Sequence, residues 1–250
     1  MKKAFITGGS RGIGRGIVRI LSDHDYDIAF TYNSHLEEAN SLAEEVKAKG
    51  KQCFFYQASL EEPNVPEEVT TKAINDLNGI DLLVCNAGRT VHNSLLTVRR
   101  EDIDFVYNLD YRSHILCSKI AANYMVQNQI CGNIVVIAST RGIRAYPEDC
   151  LYGSMKAALI RSVESMALEM SKYGIRVNCI APGATAVRGN FSEEQLKASS
   201  FASKIPLKRL GSPDEVGHLV YYLASNEARY ITGDTIKIDG GLILPGMPEH

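Results

Sequence analysis

Three side chains near the middle of the chain have the types and the spacing of a proton-transfer site. Ser139 follows the apolar run 134–137, where a buried strand is expected to end, and Tyr152 and Lys156 lie thirteen and seventeen positions later. Residues four apart on a helix lie on the same face. An ammonium beside a phenol favours the phenolate and lowers the phenol pKa from about 10, so that a tyrosine can exchange a proton with a substrate oxygen near neutral pH. A serine hydroxyl can hold the same oxygen.

A glycine-rich turn near the start of the chain provides a second signal. The Tyr-x-x-x-Lys pattern alone also fits an ordinary surface helix, so other elements must decide between the two interpretations. An apolar strand at 3–6 runs into residues 7–14, TGGSRGIG, and then into a helical pattern. Glycines let the backbone approach a ligand, and a helix N-terminus offers unpaired N–H groups and a positive dipole end. This order of elements predicts a phosphate-binding site.

The end of the second predicted strand bears on which dinucleotide would bind. A site specific for NAD places a carboxylate there, against the ribose 2′-hydroxyl. Here the segment reads Thr31-Tyr32-Asn33-Ser34, without a carboxylate, and Arg11 lies in the glycine-rich turn nearby. A cation with small hydroxyl groups suits a 2′-phosphate. The alternative is that Arg11 is a solvated loop residue.

Strands and helices alternate along the whole chain. Strands are predicted at 3–6, 26–32, 52–56, 81–85, 134–138, 175–180 and 235–238, and helices at 36–49, 66–77, 100–126, 152–173 and 213–225. Residues 184–210 form a polar excursion with weak helical character. The alternation predicts an α/β fold with one doubly wound parallel sheet of about seven strands, flanked by helices. No linker, repeat or low-complexity tract divides the chain, so one domain over 1–250 is expected.

Composition and charge argue against several classes of protein. The 250-residue chain is 45% hydrophobic and 22% charged, which suits a folded protein with a sizeable core. A formal net charge of −2 without a basic block gives a nucleic-acid partner no electrostatic support. The six scattered cysteines predict neither a zinc site nor a disulfide framework, and no metal is expected. Without an apolar run of roughly 20 residues or room for a signal peptide before the first strand, we expect a cytoplasmic protein and no membrane partner.

Five motifs, in order, resemble those of the classical short-chain dehydrogenase/reductase family. They are Thr7-Gly8-x-x-x-Gly12-x-Gly14, Asn86-Ala87-Gly88, the set Ser139/Tyr152/Lys156, Pro182-Gly183, and an ending with Ile231-Thr232-Gly233 and Asp239-Gly240-Gly241. The resemblance covers essentially the full length. It implies a Rossmann-type fold and an oxidoreductase that uses NADP(H) to interconvert a ketone and a secondary alcohol.

The resemblance also implies roles for individual residues. Tyr152 would be the general acid/base, Lys156 would bind the nicotinamide ribose and tune Tyr152, and Ser139 would orient the substrate carbonyl. The cofactor contacts carried over from the family are Gly8, Ser10, Arg11, Gly12, Ile13, Gly14, Tyr32, Asn33, Ser34, Ser59, Leu60, Asn86, Ala87, Gly88, Tyr152, Lys156, Pro182, Gly183 and Thr185.

Three positions depart from the family pattern. The family usually has an Asn on the helix before the fifth strand, holding a water that feeds protons to the lysine, and counting along the helix gives Asp110 at that position. A family Asp that touches the adenine is Ser59 here, and a common Thr is Val187, with Thr185 close enough to replace it. A carboxylate still accepts a hydrogen bond from water, so we expect Asp110 to support the relay.

The sequence leaves the substrate open. A 3-oxoacyl thioester on acyl carrier protein, a sugar or polyol, and a hydroxysteroid all suit the chemistry, although the uncharged turn at 127–133 weakens the carrier-protein alternative. Arg89, Arg141, Arg144 and Arg188 should rim the substrate cleft. They either hold an anionic substrate or, in the favoured interpretation, are solvated loop residues.

Two further expectations concern function class and assembly. A protein that senses NADP(H) and has lost turnover is the alternative from a different class, supported only by Asp110. Otherwise the expected partner is a small-molecule carbonyl or alcohol substrate. The family resemblance suggests a homodimer or homotetramer built through the helices at 100–126 and 152–173.

Overall fold

The seven strands in the described part of the chain belong to one parallel sheet. The computed structural model describes residues 1–187 and 192–244. The strands are β1 (Lys2–Ile6), β2 (Tyr26–Tyr32), β3 (Cys53–Gln57), β4 (Leu82–Cys85), β5 (Asn133–Ile137), β6 (Arg176–Pro182) and β7 (Thr235–Ile238), in the order β3-β2-β1-β4-β5-β6-β7. The predicted doubly wound parallel sheet is therefore confirmed. The order reverses between β1 and β4, and in such sheets ligands bind beyond the carboxyl ends of the strands at this switch point.

Eight α-helices flank the sheet in the described part of the chain. They are α1 (Gly12–Asp23), α2 (Leu36–Ala48), α3 (Val65–Leu77), α4 (Arg100–Tyr107), α5 (Ser113–Gln127), α6 (Tyr152–Met170), α7 (Glu193–Ala198) and α8 (Pro213–Ala224). The helix predicted at 152–173 continues past α6 as a 3₁₀ turn and ends at Gly174, whose φ of 72° favours glycine. The helix predicted at 100–126 differs, because a π-helical segment, Asn108–Arg112, separates α4 from α5.

Apolar side chains cover both faces of the sheet. Because successive residues of a strand point to opposite faces, Phe5 and Leu83 pack with α3, α5 and α6, while Ile6 and Val84 pack with α1, α2 and α8. Burial on both faces explains why the strands read as nearly continuous hydrophobic runs. It also leaves polar side chains to gather at the strand ends, where the candidate site lies.

Two kinds of feature are absent from residues 1–187 and 192–244. No helix in these ranges has the length and hydrophobicity needed to span a bilayer. The same ranges contain no group of three or more His, Cys, Asp or Glu side chains placed to hold a metal ion.

Candidate active site

The glycine-rich turn between β1 and α1 is shaped by close backbone approach. Gly8 and Gly12 have φ values of +65° and +53°, in the left-handed region that favours glycine. A Cβ on Gly14 would collide with the Gly8 carbonyl oxygen. The Asn86 side-chain amide donates to the carbonyl oxygens of Thr7 and Gly8, at 3.0 Å each, and so ties the turn to the end of β4. The turn therefore holds its own backbone close to the N-terminus of α1, where the N–H groups of a phosphate site lie.

Arg11 and the segment after β2 meet at the protein surface. Arg11 Nη1 lies 3.3 Å from His35 Nε2, and His35 Nδ1 lies 3.0 Å from Ser34 Oγ. A guanidinium only donates, so Nε2 accepts in this arrangement. Asn33 and Ser34 are exposed, and Tyr32 is buried. Arg11 and Ser34 can donate hydrogen bonds here, and residues 31–34 include no carboxylate. Both features fit the 2′-phosphate of NADP(H). His35 was missed in the sequence, although its place directly after Ser34 could have pointed to it.

The other predicted cofactor contacts lie at the carboxyl ends of neighbouring strands. Ser59 is exposed after β3, whereas the Leu60 side chain is buried in the core, so only its main chain can face a cofactor. After β6, the Thr185 hydroxyl donates to the Gly183 carbonyl oxygen at 3.3 Å. The Pro182 carbonyl oxygen accepts from the Thr140 hydroxyl, also at 3.3 Å, which links the ends of β5 and β6. Five more predicted contacts follow the neighbouring strands β1 and β4. They are Ser10 and Ile13 after β1, and Asn86, Ala87 and Gly88 after β4.

Lys156 and Asp110 form a buried ion pair. Lys156 Nζ lies 3.3 Å from Asp110 Oδ1, and the two side chains are 3% and 0% exposed. The ammonium also donates to the Ile137 carbonyl oxygen at 3.3 Å, at the end of β5. The carboxylate accepts the main-chain N–H of Arg89, with its two oxygens at 3.2 and 3.3 Å. Both charges are thus satisfied by protein groups in fixed positions.

Local backbone geometry allows this pair to form. Asp110 lies within the π-helical segment Asn108–Arg112, where the wider turn replaces the regular α-helix expected from the sequence. A Cβ on Gly88 would lie 2.5 Å from Asp110 Oδ1 and 3.2 Å from Lys156 Nζ. Glycine at position 88 therefore leaves the space in which the two charged groups meet.

The pair keeps a positive charge beside the tyrosine. Burial raises the pKa of Asp110, and attraction to Lys156 opposes this rise. Burial also opposes charge on Lys156, but the Asp110 carboxylate and then Tyr152 outweigh it and raise the Lys156 pKa above its ordinary value. Lys156 is consequently an ammonium at neutral pH. Its Nζ lies 5.4 Å from the centroid of the Tyr152 ring.

Ser139 lies two residues beyond Ile137, whose carbonyl holds Lys156. Its Oγ accepts the main-chain N–H of Arg141 at 3.1 Å and caps the 3₁₀ turn Thr140–Gly142. Because the oxygen accepts this bond, the hydroxyl hydrogen is available to donate to another oxygen. The structure thus gathers Asp110, Tyr152 and Lys156 near the end of β5, from which Ser139 follows directly.

A buried histidine stands one helical turn after Asp110. His114 Nε2 lies 2.7 Å from the Ala87 carbonyl oxygen, so this nitrogen carries the hydrogen. Its Nδ1 has no hydrogen-bond partner among the described residues. Burial, and then repulsion by the Lys156 ammonium, lowers the pKa of His114 to about 3. His114 has no partner at metal-ligand spacing in the sequence, so the sequence alone gives it no role.

Stability should fall below neutral pH because of His114. The native state does not take up this proton until about pH 3, whereas an unfolded histidine titrates near about 6.5, so the unfolded state gains protons first as the pH falls. As the pH falls from about 7 to about 5.5, the titration of His114 should lower the free energy of unfolding by about 1 kcal/mol. His114→Gln, which keeps a donor for Ala87, should remove this loss in urea titrations at the two pH values. Exposed His92→Gln is the control, and equal pH dependence in all three proteins would contradict the prediction.

The arginines expected at the cleft rim differ in their surroundings. Arg188 lies outside the described residues. Arg89 and Arg144 are exposed, as the solvated interpretation predicts. That interpretation does not hold for Arg141, whose Nη1 lies 3.0 Å from the carboxylate of Asp149, a side chain that is 2% exposed. The charge of Arg141 is therefore already compensated within the protein.

Comparisons with known proteins agree with this geometry. A family model described as enoyl-(acyl carrier protein) reductase matches residues 8–243. A 3-oxoacyl-(acyl-carrier-protein) reductase of Staphylococcus epidermidis is 33% identical over 244 residues, which cover 97% of this chain and 99% of the relative. The structure of acetoin dehydrogenase from Salmonella typhimurium is similar with a TM-score of 0.94 and 29% identity, covering 100% of this chain and 98% of that one.

A second solved structure was determined with a nucleotide. It is a blue fluorescent protein from a metagenomic library in complex with NADPH, with a TM-score of 0.87 and 31% identity over 97% of this chain and 98% of that one. Matches of this length and identity, together with the fold, show that the chain belongs to the classical short-chain dehydrogenase/reductase family of NAD(P)H-dependent oxidoreductases.

Proposed function

We propose that this protein is an NADPH-dependent oxidoreductase that interconverts a ketone and a secondary alcohol, with Tyr152 as the general acid/base. One observation carries the proposal: a buried ammonium, Lys156, is fixed by Asp110 and the Ile137 carbonyl oxygen and lies 5.4 Å from the Tyr152 ring centroid. The bound cofactor would supply or accept hydride at the carbonyl carbon.

The side chains of this site would handle the proton and the substrate oxygen. In reduction, the Tyr152 phenol donates its proton to the oxygen, and in oxidation it removes the proton from the alcohol. The Ser139 hydroxyl donates to the same oxygen. Lys156 has three N–H groups, of which Asp110 and the Ile137 carbonyl oxygen take two. The third remains for a ribose hydroxyl or the phenol oxygen, which is the position that favours the phenolate.

Arg11, together with the segment after β2 that has no carboxylate, favours NADPH over NADH as the cofactor. A charge-assisted contact between Arg11 and a phosphate should contribute about 1.5–3 kcal/mol, which corresponds to roughly a ten- to hundredfold preference. We expect the parent to show this ratio in kcat/KM, and Arg11→Gln to lose it by weakening NADPH alone. Arg19→Gln, on α1 and paired with Glu45, is the matched control. A parent whose kcat/KM with NADH equals or exceeds that with NADPH would exclude this assignment.

A small free ketone is the favoured substrate, and an acyl chain on carrier protein is the second candidate. The first is supported by the similarity to the acetoin dehydrogenase, and the second by the similarity to the 3-oxoacyl-(acyl-carrier-protein) reductase. The turn between α5 and β5 carries no charge that could meet an acidic carrier protein, which favours the small ketone.

A substrate panel tests the function and separates these candidates. Acetoin, a keto sugar, a ketosteroid and a 3-oxoacyl thioester, the last both free and on carrier protein, would be assayed with NADPH and NADH. Turnover of acetoin above the others supports the favoured substrate, and turnover only of the carrier-bound thioester supports the second candidate. Tight NADPH binding without turnover of any compound would instead support a protein that senses NADP(H).

Assembly and location are also proposed from the sequence. A homodimer or homotetramer built through α4, α5 and α6 is supported by the exposed apolar side chains of Ile103 and Tyr107 on α4 and of Leu168 on α6. Sedimentation analysis tests this assembly, and a monomer at micromolar concentrations would contradict it. The single domain and the cytoplasmic location stay predictions.

A further inference from the structure

An ion pair connects the two ends of the segment between Ser139 and Tyr152. Arg141 lies two residues after Ser139, and Asp149 lies three residues before Tyr152. Arg141 Nη1 and Asp149 Oδ2 are 3.0 Å apart, with the arginine side chain 31% exposed. We call these two residues the loop clamp. The clamp joins the two ends of a segment whose neighbours on either side are proposed to contact the substrate oxygen.

Main-chain hydrogen bonds also connect Arg141 to Ser139, and Asp149 to the helix that begins at Tyr152. The N–H of Arg141 donates to Ser139 Oγ at 3.1 Å. The carbonyl oxygen of Asp149 accepts the N–H of Gly153 at 3.2 Å, in the first turn of α6, which begins at Tyr152. A change in the distance between Arg141 and Asp149 would therefore move the serine hydroxyl relative to the tyrosine phenol.

The clamp is tightly packed on its inner side. A Cβ on Gly153 would lie 3.0 Å from both the Arg141 carbonyl oxygen and Asp149 Oδ2. The Arg141 guanidinium also lies over the Tyr146 ring, 4.9 Å from its centroid, which adds a cation–π contact within the loop. These contacts hold the guanidinium beside the carboxylate as an ion pair.

The outer side of the segment is much less supported. A cavity of about 450 Å³ borders it, lined among others by Leu95, Ile143, Tyr146 and Ser154. Because this side faces open space, few side chains hold the segment there. The ion pair adds to the main-chain hydrogen bonds of the turn Thr140–Gly142 and to the bridge between Asn93 and Asp149.

The two members of the clamp are not energetically equivalent. Neither Asp149 side-chain oxygen has a hydrogen-bond partner among the described residues, so Arg141 is the group that compensates this buried charge. Removing Arg141 leaves a buried carboxylate unpaired, which is strongly destabilising. Removing the charge of Asp149 instead leaves a partly exposed guanidinium that water can reach, so Asp149→Asn is the variant more certain to fold.

We propose that Arg141 and Asp149 are positioning residues, which set the distance between the Ser139 hydroxyl and the Tyr152 phenol. They act through the loop and the start of α6 and do not touch the reacting atoms. The kinetic part of this inference rests on the proposed function. The effect on the loop does not, and it can be measured without substrate.

The test compares Asp149→Asn, Arg141→Gln and Arg141→Lys with the parent protein. For the first two variants we expect kcat with a neutral ketone to fall roughly ten- to hundredfold, because misplaced reacting groups lose rate. The KM for the ketone and the NADPH dissociation constant should change by less than about threefold. Arg141→Lys keeps the positive charge and should recover most of the lost kcat. Arg229→Gln, an exposed arginine outside this segment, is the control and should match the parent.

Amide hydrogen exchange of the substrate-free proteins provides the second readout. The amides of Arg141 and Gly153 should exchange at least about tenfold faster in Asp149→Asn, while the amides of β1 and β4 keep their protection. Unchanged exchange in this variant would overturn the proposal, and a fall in kcat without faster exchange would indicate direct substrate contact instead. If the parent reduces no carbonyl, the proposed function fails, and the exchange result still decides whether the clamp orders the loop.

Discussion

Tyr152→Phe is expected to abolish turnover and to leave NADPH binding nearly intact. The substitution removes only the phenol oxygen, which is the proposed proton donor, and keeps the ring beside Lys156. General acid–base catalysis by one side chain typically accounts for about 10²–10⁴-fold in rate. We therefore expect kcat to fall by about 10³-fold or more. The measurements are kcat from NADPH absorbance and the NADPH dissociation constant from calorimetry.

The control for this variant is Tyr173→Phe. Tyr173 lies in the 3₁₀ turn that follows α6 and is exposed. Loss of its hydroxyl should therefore change neither kcat nor the NADPH dissociation constant. Thermal unfolding of both variants would show whether the fold is preserved. Residual activity of Tyr152→Phe within about tenfold of the parent would mean that another group protonates the substrate.

The sheet could be predicted because its signals are local. Apolar runs of strand length that are buried on both faces stand out in the sequence, and β2 and β7 have the predicted bounds, 26–32 and 235–238. Gly174 also marks a helix end in the sequence, because glycine readily adopts the left-handed conformation that ends this helix. The glycine-rich turn and the Tyr152–Lys156 pair are likewise short patterns, in which the spacing itself determines which groups share a face.

The surroundings of the site could not be predicted in the same way. The contact between Arg11 and His35 joins residues 24 positions apart, and the ion pair of Lys156 with Asp110 joins residues from two helices. The π-helical segment that carries Asp110 has no pattern of its own, because its hydrogen bonds are set by packing against neighbouring elements. Such contacts depend on tertiary structure, which spacing along one element does not contain.

Asp110→Asn is expected to give an active but less stable protein. The amide oxygen can still accept from Lys156 and from the Arg89 N–H, so the geometry of the site should persist. The buried ammonium nevertheless loses the charge that compensates it, and breaking a buried pair typically costs about 3–5 kcal/mol, of which we expect the lower end here because the amide still accepts. Urea unfolding at neutral pH measures this loss. Asp104→Asn, an exposed aspartate on α4, is the matched control.

The sign of the pH effect on stability follows from Lys156. Its pKa is raised in the native parent, so the pair contributes stability that is fully present below the unfolded lysine value of about 10.4 and is lost as the pH rises through the native value. In Asp110→Asn, burial acts on the ammonium without the carboxylate and lowers the Lys156 pKa. The difference in unfolding free energy between parent and variant should therefore be larger at neutral pH than at alkaline pH and should shrink as the pH rises. A difference that grows with pH would contradict the assignment of the pair.

The same substitution should move the pH profile of alcohol oxidation to lower pH on its basic side. The negative charge of Asp110 opposes formation of a phenolate at Tyr152, and the ammonium between them favours it. Removing the carboxylate takes away the opposing charge, while Lys156 keeps its own as long as the pH stays below its lowered pKa. The basic side of the rate profile should consequently lie at lower pH in the variant. The comparison is kcat/KM for the alcohol against pH at fixed ionic strength, and profiles of parent and variant that superimpose would show that the charge of Asp110 does not act on the reacting phenol.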